Sequence, residues 1–161
     1  MYADTPSVVS ERREPNPRQR ILVAEDDPAI RQVNTQVLTY SGYHVDAAED
    51  GAAAWDALEQ NNYDLLVTDN DMPKVTGVEL LQKMLDARKT LPVIMATGAL
   101  PLEKFTECPA LQPKVILLKP YTFEELLAAV KEVLRLTSDA RNEPAPPPDW
   151  SPRPRSDRLR L

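Results

Sequence analysis

An α/β fold, a parallel sheet wound with helices on both faces, is predicted by two features of this 161-residue chain. Short aliphatic and β-branched runs, each closed by turn chemistry, recur five times between positions 20 and 118. Segments of helical periodicity alternate with them, and such alternation calls for parallel strands joined by right-handed crossovers. The third run, Asp64-Leu65-Leu66-Val67-Thr68, leads straight into Asp69-Asn70-Asp71-Met72-Pro73 and reads as the central strand with its loop.

Taken in order, residues 1–19 are polar, carry prolines at 6, 15 and 17 and lack apolar periodicity, so a disordered N-terminal arm is expected. Order begins at Arg20-Ile21-Leu22-Val23-Ala24, a strand ending in the acids Glu25-Asp26-Asp27. Asp27 is placed to cap a helix that Pro28 opens, because the free amides of a first turn need an acceptor. Ile30, Val33, Val37 and Leu38 form its expected apolar face, and Ser41-Gly42 stops it. Tyr43 to Ala47 reads as a second strand. Asp50 caps an alanine-rich helix with Ala53, Ala54, Ala57 and Leu58 inward and Trp55 partly in the core. After the central strand, residues 75–89 carry Val78, Leu81, Met84 and Leu85 at helical spacing. Pro92-Val93-Ile94-Met95-Ala96 is the fourth strand, ending at Thr97-Gly98. Prolines at 101, 109 and 113 leave room for only a turn or two of helix in residues 99–113. Lys114 to Leu118 is the fifth strand, ending at Lys119-Pro120. Thr122 and Glu125 then form a capping box before Leu126, Leu127, Val130, Val133 and Leu134. The ordered domain is thus expected over 20–136, and residues 137–161 read as a disordered tail rich in proline and arginine.

The bulk properties narrow the function. A net charge of −6 argues against nucleic acid or an anionic membrane as the main partner. No run approaches the roughly 20 apolar residues of a membrane span, and no signal-peptide core is present at the start. The one cysteine, Cys108, permits no internal disulfide and suits a reducing compartment, so a soluble cytoplasmic domain is expected.

Strands that alternate with helices in a parallel sheet all end at one rim, where such sheets bind ligands. That rim collects Glu25, Asp26 and Asp27, then Asp69, Thr97 and Lys119. Several carboxylates close together stay ionised only with a cation among them. Oxygen donors of this hardness suit Mg²⁺, which is bound through one or two carboxylates together with phosphate. A carboxylate left free to attack, an ammonium and a hydroxyl complete the requirements of phosphoryl transfer.

The runs ILVAEDDPAIR and DLLVTDNDMPKVTG, Thr97 after VIMA, and LLKP together resemble the receiver domain of bacterial two-component response regulators, in its stand-alone, chemotaxis-like form. The resemblance spans about residues 20–136 and implies a flavodoxin-like strand order 2-1-3-4-5, which the alternation alone leaves open. It implies Asp69 as phosphoacceptor and a Mg²⁺ site (with Mn²⁺ able to substitute) made by Glu25, Asp26, Asp69 and the main-chain carbonyl of Asp71. Thr97 and Lys119 would hold the phosphoryl oxygens, Pro73 and Gly77 would shape the loop, and Lys119-Pro120 would be a cis peptide bond. The implied partners are a sensor histidine kinase or histidine phosphotransfer protein upstream and a protein target downstream, or a phosphorelay. A phosphoacceptor of this kind is not a turnover enzyme.

Two positions depart from the pattern. Ile116 stands where the family usually has the tyrosine or phenylalanine that moves with the threonine, so the usual switch between Thr97 and position 116 is not implied. Gly98-Ala99-Leu100-Pro101 replaces a regular start to the fourth helix and leaves the site open to water or a partner. These departures motivate one alternative, a receiver-like interaction scaffold that takes no phosphate. A second is a haloacid-dehalogenase-type phosphatase, whose motif also opens on Asp-x-Asp but wants Thr or Val where Pro73 stands. His44 reads as a surface or half-buried histidine, Cys108 as an unremarkable thiol and Trp150 as part of the solvated tail.

Overall fold

The computed structural model describes residues 19–142, in which five strands alternate with five α-helices. In chain order these are β1 (Arg20–Ala24), α1 (Pro28–Tyr40), β2 (His44–Ala48), α2 (Gly51–Gln60), β3 (Leu65–Asp69), α3 (Gly77–Asp86), β4 (Val93–Thr97), α4 (Leu102–Glu107), β5 (Val115–Leu118) and α5 (Phe123–Asn142). A single 3₁₀ turn, Pro109–Leu111, joins α4 to β5. The expected arm before Gln19 and residues 143–161 of the expected tail, Trp150 included, lie outside the described residues.

All strand pairs are parallel, and the order is β2-β1-β3-β4-β5, as the resemblance implied. Because successive strand side chains point to opposite faces, one sequence run feeds two cores. Leu22, Ala24, Leu66 and Met95 face a core closed by Ala54, Leu58, Leu80, Leu81, Met84 and Phe105. Ile21, Val23, Leu65, Val67 and Ile94 face the other, closed by Leu38 of α1 and Leu126, Val130, Val133 and Leu134 of α5. Burial on both sides is why Leu65, Leu66 and Val67 of β3 are apolar without alternation, and all five positions of the strand are buried.

The helix starts follow the caps. Asp27 Oδ1 accepts the amides of Ala29 at 2.9 Å and Ile30 at 3.2 Å, so Asp27 caps α1. Thr122 and Glu125 form the expected reciprocal box before α5, at 3.1 and 2.7 Å. Thr76 and Glu79 form a second one at α3.

Three expectations need correction. On α1 the buried positions are Asn34 and Leu38, while Ile30 and Val33 are only half-buried. Asn34 is admitted because its amide donates to the Tyr121 hydroxyl at 2.8 Å, across the α1–α5 side. On α3, Leu85 is 39% exposed and Leu80 takes the core position. Gly77 touches the β3 backbone and fixes the rotation of α3, so Gly77, Leu80, Leu81 and Met84 line its inner face. Helix α5 runs six residues past the expected limit at Leu136. Thr137 and Ser138 donate to the carbonyls of Val133 and Leu134, and Arg141 lies 3.6 Å from Asp64, which fastens the added turns.

No helix among the described residues is long and apolar enough to cross a membrane. The chain returns from β2 past β1 to β3, so the direction of winding reverses between β1 and β3. The cleft above their carboxyl ends is where an open α/β sheet binds ligands.

Candidate functional site

Three loops meet in that cleft. Glu25, directly after β1, is 3% exposed, and Asp69, the last residue of β3, is 5% exposed. Asp26 stands beside them, exposed to solvent. One carboxylate oxygen from each of the three lies within 4.8 Å of the other two. From the far side Lys119 reaches across, its Nζ 3.1 Å from Glu25 Oε2 and 3.1 Å from Asp69 Oδ2. The other Asp69 oxygen, Oδ1, accepts the amide of Asp71 at 3.3 Å.

Lys119 is what makes two buried acids tolerable. Burial pushes the Glu25 carboxyl above its ordinary range and the neighbouring Asp69 charge adds to this, while the hydrogen bond from Lys119 opposes both. Burial works against the Lys119 charge too, but its bonds to Glu25 and Asp69 outweigh that and hold it above the ordinary lysine value. Among the described residues no buried side-chain nitrogen or oxygen lacks a hydrogen-bond partner. A small hard cation fits this donor set: three converging carboxylate oxygens, one of them exposed to water.

The loop after β3 is built for close approach. A Cβ on Gly77 would sit 2.4 Å from the Asp69 carbonyl oxygen, so only glycine lets α3 start against the acidic strand end. The Asn70 carbonyl accepts the amides of Met72 and Gly77, and its side chain accepts that of Val78 at 3.1 Å. On the β1 side, the Arg31 guanidinium donates to the carbonyls of Glu25 at 2.9 Å and Asp26 at 3.3 Å. Thr97 is fully buried at the end of β4, and its hydroxyl donates to the Ala99 carbonyl at 2.9 Å rather than to any acid of the cleft. The Lys119–Pro120 peptide bond is cis. Ile116 is half-buried, pairs with Met95 in register and packs on the core that holds Phe105.

A family model described as the response regulator receiver domain matches residues 21–131. The chain belongs to the response-regulator receiver family. It is 32% identical over 127 residues to the response regulator MprA of Mycobacterium sp. (strain KMS), an alignment covering 79% of this chain and 55% of that one. The chain therefore spans about half the length of that relative. With the response regulator receiver protein CpdR of Brucella abortus (strain 2308) the identity is 30% over 116 residues, covering 72% of this chain and 97% of that one. Among solved structures, the CheY-like receiver domain protein of Methanospirillum hungatei superposes with a TM-score of 0.71 at 30% identity, over 76% of this chain and 98% of that one. The response regulator TrrA of Thermotoga maritima, crystallised in complex with Mg²⁺–BeF, does so with a TM-score of 0.64 at 30% identity, over 71% and 98%.

This receiver domain brings Glu25, Asp26, Asp69 and Lys119 together in one cleft and places Thr97 beside it with its hydroxyl turned away. Asp71 enters through its amide. The sequence reading missed Arg31, Asn70 and a contact between Asp50 and Lys74. A spacing of six from Glu25 to Arg31 is one that can bring a helical side chain back over the loop before the helix, and that was a usable signal. Asn70 and Lys74 carry none, because their partners are set by how the loop folds.

Proposed function

We propose that this receiver domain accepts a phosphoryl group on Asp69 from a phosphohistidine of a sensor kinase or histidine phosphotransfer protein, and signals to a protein partner or a phosphorelay. The observation that carries the reading is the position of Lys119 Nζ, 3.1 Å from Glu25 and 3.1 Å from Asp69, at the mouth of the acidic cleft. An Asp69 oxygen attacks phosphorus, the phosphorus–nitrogen bond breaks, and the imidazole leaves with the electron pair. Lys119 offsets the charge gathering on the transferred oxygens, which is where preorganised charge contributes most to rate. The Asp71 amide holds the second Asp69 oxygen and so aims the first. Thr97 serves the phosphoryl group once its hydroxyl exchanges the Ala99 carbonyl for a phosphoryl oxygen. Glu25, Asp26, Asp69 and the Asp71 carbonyl would hold Mg²⁺, or Mn²⁺ in its place, which when bound neutralises phosphoryl oxygens and orients the donor. A cytoplasmic location follows from the same reading, since the phosphohistidine donor is formed there.

Incubation with acetyl phosphate and Mg²⁺ tests the assignment: intact mass should rise by one phosphoryl group, and Asp69→Asn should show no rise. Equal labelling of that variant would remove Asp69 from the role. A wild type that binds Mg²⁺ but takes no phosphate from acetyl phosphate or from any kinase would favour the interaction scaffold. Sustained release of phosphate from a monoester would favour the phosphatase.

A further inference from the structure

The loop between Asp69 and α3 contains a lysine in an unusual conformation. Lys74 has φ 69°, in the left-handed region that non-glycine residues seldom occupy, so the surroundings must hold it there. Its side chain is 65% exposed, yet its Nζ lies 3.0 Å from Asp50 Oδ2, on a carboxylate that is 6% exposed. The other oxygen of Asp50 caps α2 by accepting the Ala53 amide at 2.8 Å. Each oxygen thus has one task. The next residues repeat the contact in the backbone: a Cβ on Gly51 would lie 2.0 Å from the Val75 carbonyl oxygen, so α2 begins directly against this loop.

We infer that Lys74 is a positioning residue: by tying the loop to the Asp50 cap of α2, it sets where Asp71 meets Asp69. The Asp71 amide reaches Asp69 Oδ1 only if the loop keeps its height above the sheet. The near attachment of that height is Asn70, bonded to Met72, Gly77 and Val78. Lys74 supplies the far attachment, and it does so from an anchor outside the cleft. The inference rests on the proposed use of Asp69 and Asp71, but its two possible readings have opposite signs. If Lys74 acted only as a nearby positive charge, removing it would strengthen Mg²⁺ binding among the acids. If it positions the loop, removing it weakens binding.

Lys74→Met in the full chain is the test, with Lys74→Arg as the conservative rescue and a thermal melt as control. Calorimetric titration with MgCl₂ should show affinity falling on the order of fivefold in Lys74→Met, the scale of one partly exposed ion pair. Hydrogen exchange at the amides of Asp71 and Gly77 should quicken while α2 stays protected, and Lys74→Arg should restore both. Affinity unchanged or tighter in Lys74→Met overturns the inference, and so does faster exchange spread through α2, which would make the pair a matter of general stability. Failure of wild-type Asp69 to take phosphate would strike the proposed function alone, because both readouts are taken without a phosphodonor.

Discussion

Both oxygens of Asp69 are engaged, Oδ2 by Lys119 at 3.1 Å and Oδ1 by the Asp71 amide at 3.3 Å. The carboxylate is therefore held in one orientation without strain on its own strand. Lys119→Met keeps every acid in the cleft and removes only the ammonium. Phosphoryl acceptance should then fall on the order of 100-fold, the usual cost of losing one preorganised donor. Mg²⁺ binding should persist; a parallel loss of both would show Lys119 to be holding the shape of the site instead. Glycines give a second contrast. Gly77→Ala drives a methyl into the Asp69 carbonyl and should cost about 2 kcal/mol or more in denaturant unfolding. Gly98→Ala meets nothing within 4 Å and should lie within about 0.5 kcal/mol of wild type.

Between elements, charge is used as a clasp at the opposite end of the sheet. Arg20 of β1 donates to Asp46 of β2 and lies over the Tyr63 ring, 5.0 Å from its centroid, while the Tyr63 hydroxyl donates to Asp46 at 2.8 Å. Burial lifts the Asp46 carboxyl, but Tyr63 and Arg20 outweigh it and hold it below the ordinary 3.8. An acid with a depressed folded-state value stabilises above its unfolded value and loses that contribution as pH falls through the folded one. Asp46→Asn should therefore cost about 1 kcal/mol or less near neutrality, since the pair is one-third exposed. The difference from wild type should close below the ordinary carboxylate range, which urea unfolding at graded pH would follow. Tyr63 gives the alkaline counterpart. Burial and the Asp46 hydrogen bond push its phenol to about 12, so its contribution is intact below pH 10 and fades as pH approaches 12. Burial also raises Tyr43 and Tyr121, so ultraviolet titration should find several phenols ionising late, and Asp46→Asn should move only the Tyr63 component back toward 10. The capping box of α5 is open to the same kind of measurement: Thr122→Ala should destabilise the domain by about 1 kcal/mol.

Across the whole molecule, the site is joined to its surface through β4 and β5. Thr97 holds the Ala99 carbonyl, and Ala99 starts the irregular stretch that leads to the six-residue α4. On the proposed function the hydroxyl exchanges this carbonyl for a phosphoryl oxygen, and that stretch would then lose its bond to Thr97 Oγ1. With Ile116 in place of an aromatic ring, the response is expected in residues 98–107 rather than as a ring moving inward on β5. Backbone resonances recorded with Mg²⁺ and beryllofluoride should shift most at Thr97 to Phe105. Shifts centred on β5 and α5 instead would show that Ile116 still couples as the usual aromatic does.

Hydrophobic periodicity and turn chemistry are local properties, so the five strands, the helices and the caps at Asp27, Asp50 and Thr122 could be read along the chain. The acids and the lysine could be read as well, because a parallel sheet sends every strand end to one rim. The strand order could not, and came only with the family resemblance. Whatever depends on a partner distant in sequence was decided by the tertiary structure. Asn34 is buried because Tyr121, 87 residues on, accepts its amide. Leu80 displaces Leu85 from the core because Gly77 abuts Asp69, and Lys119 bridges two acids 94 and 50 residues away. Such pairings lie between elements, where no sequence spacing records them, and the packing that closes the two cores fixes them.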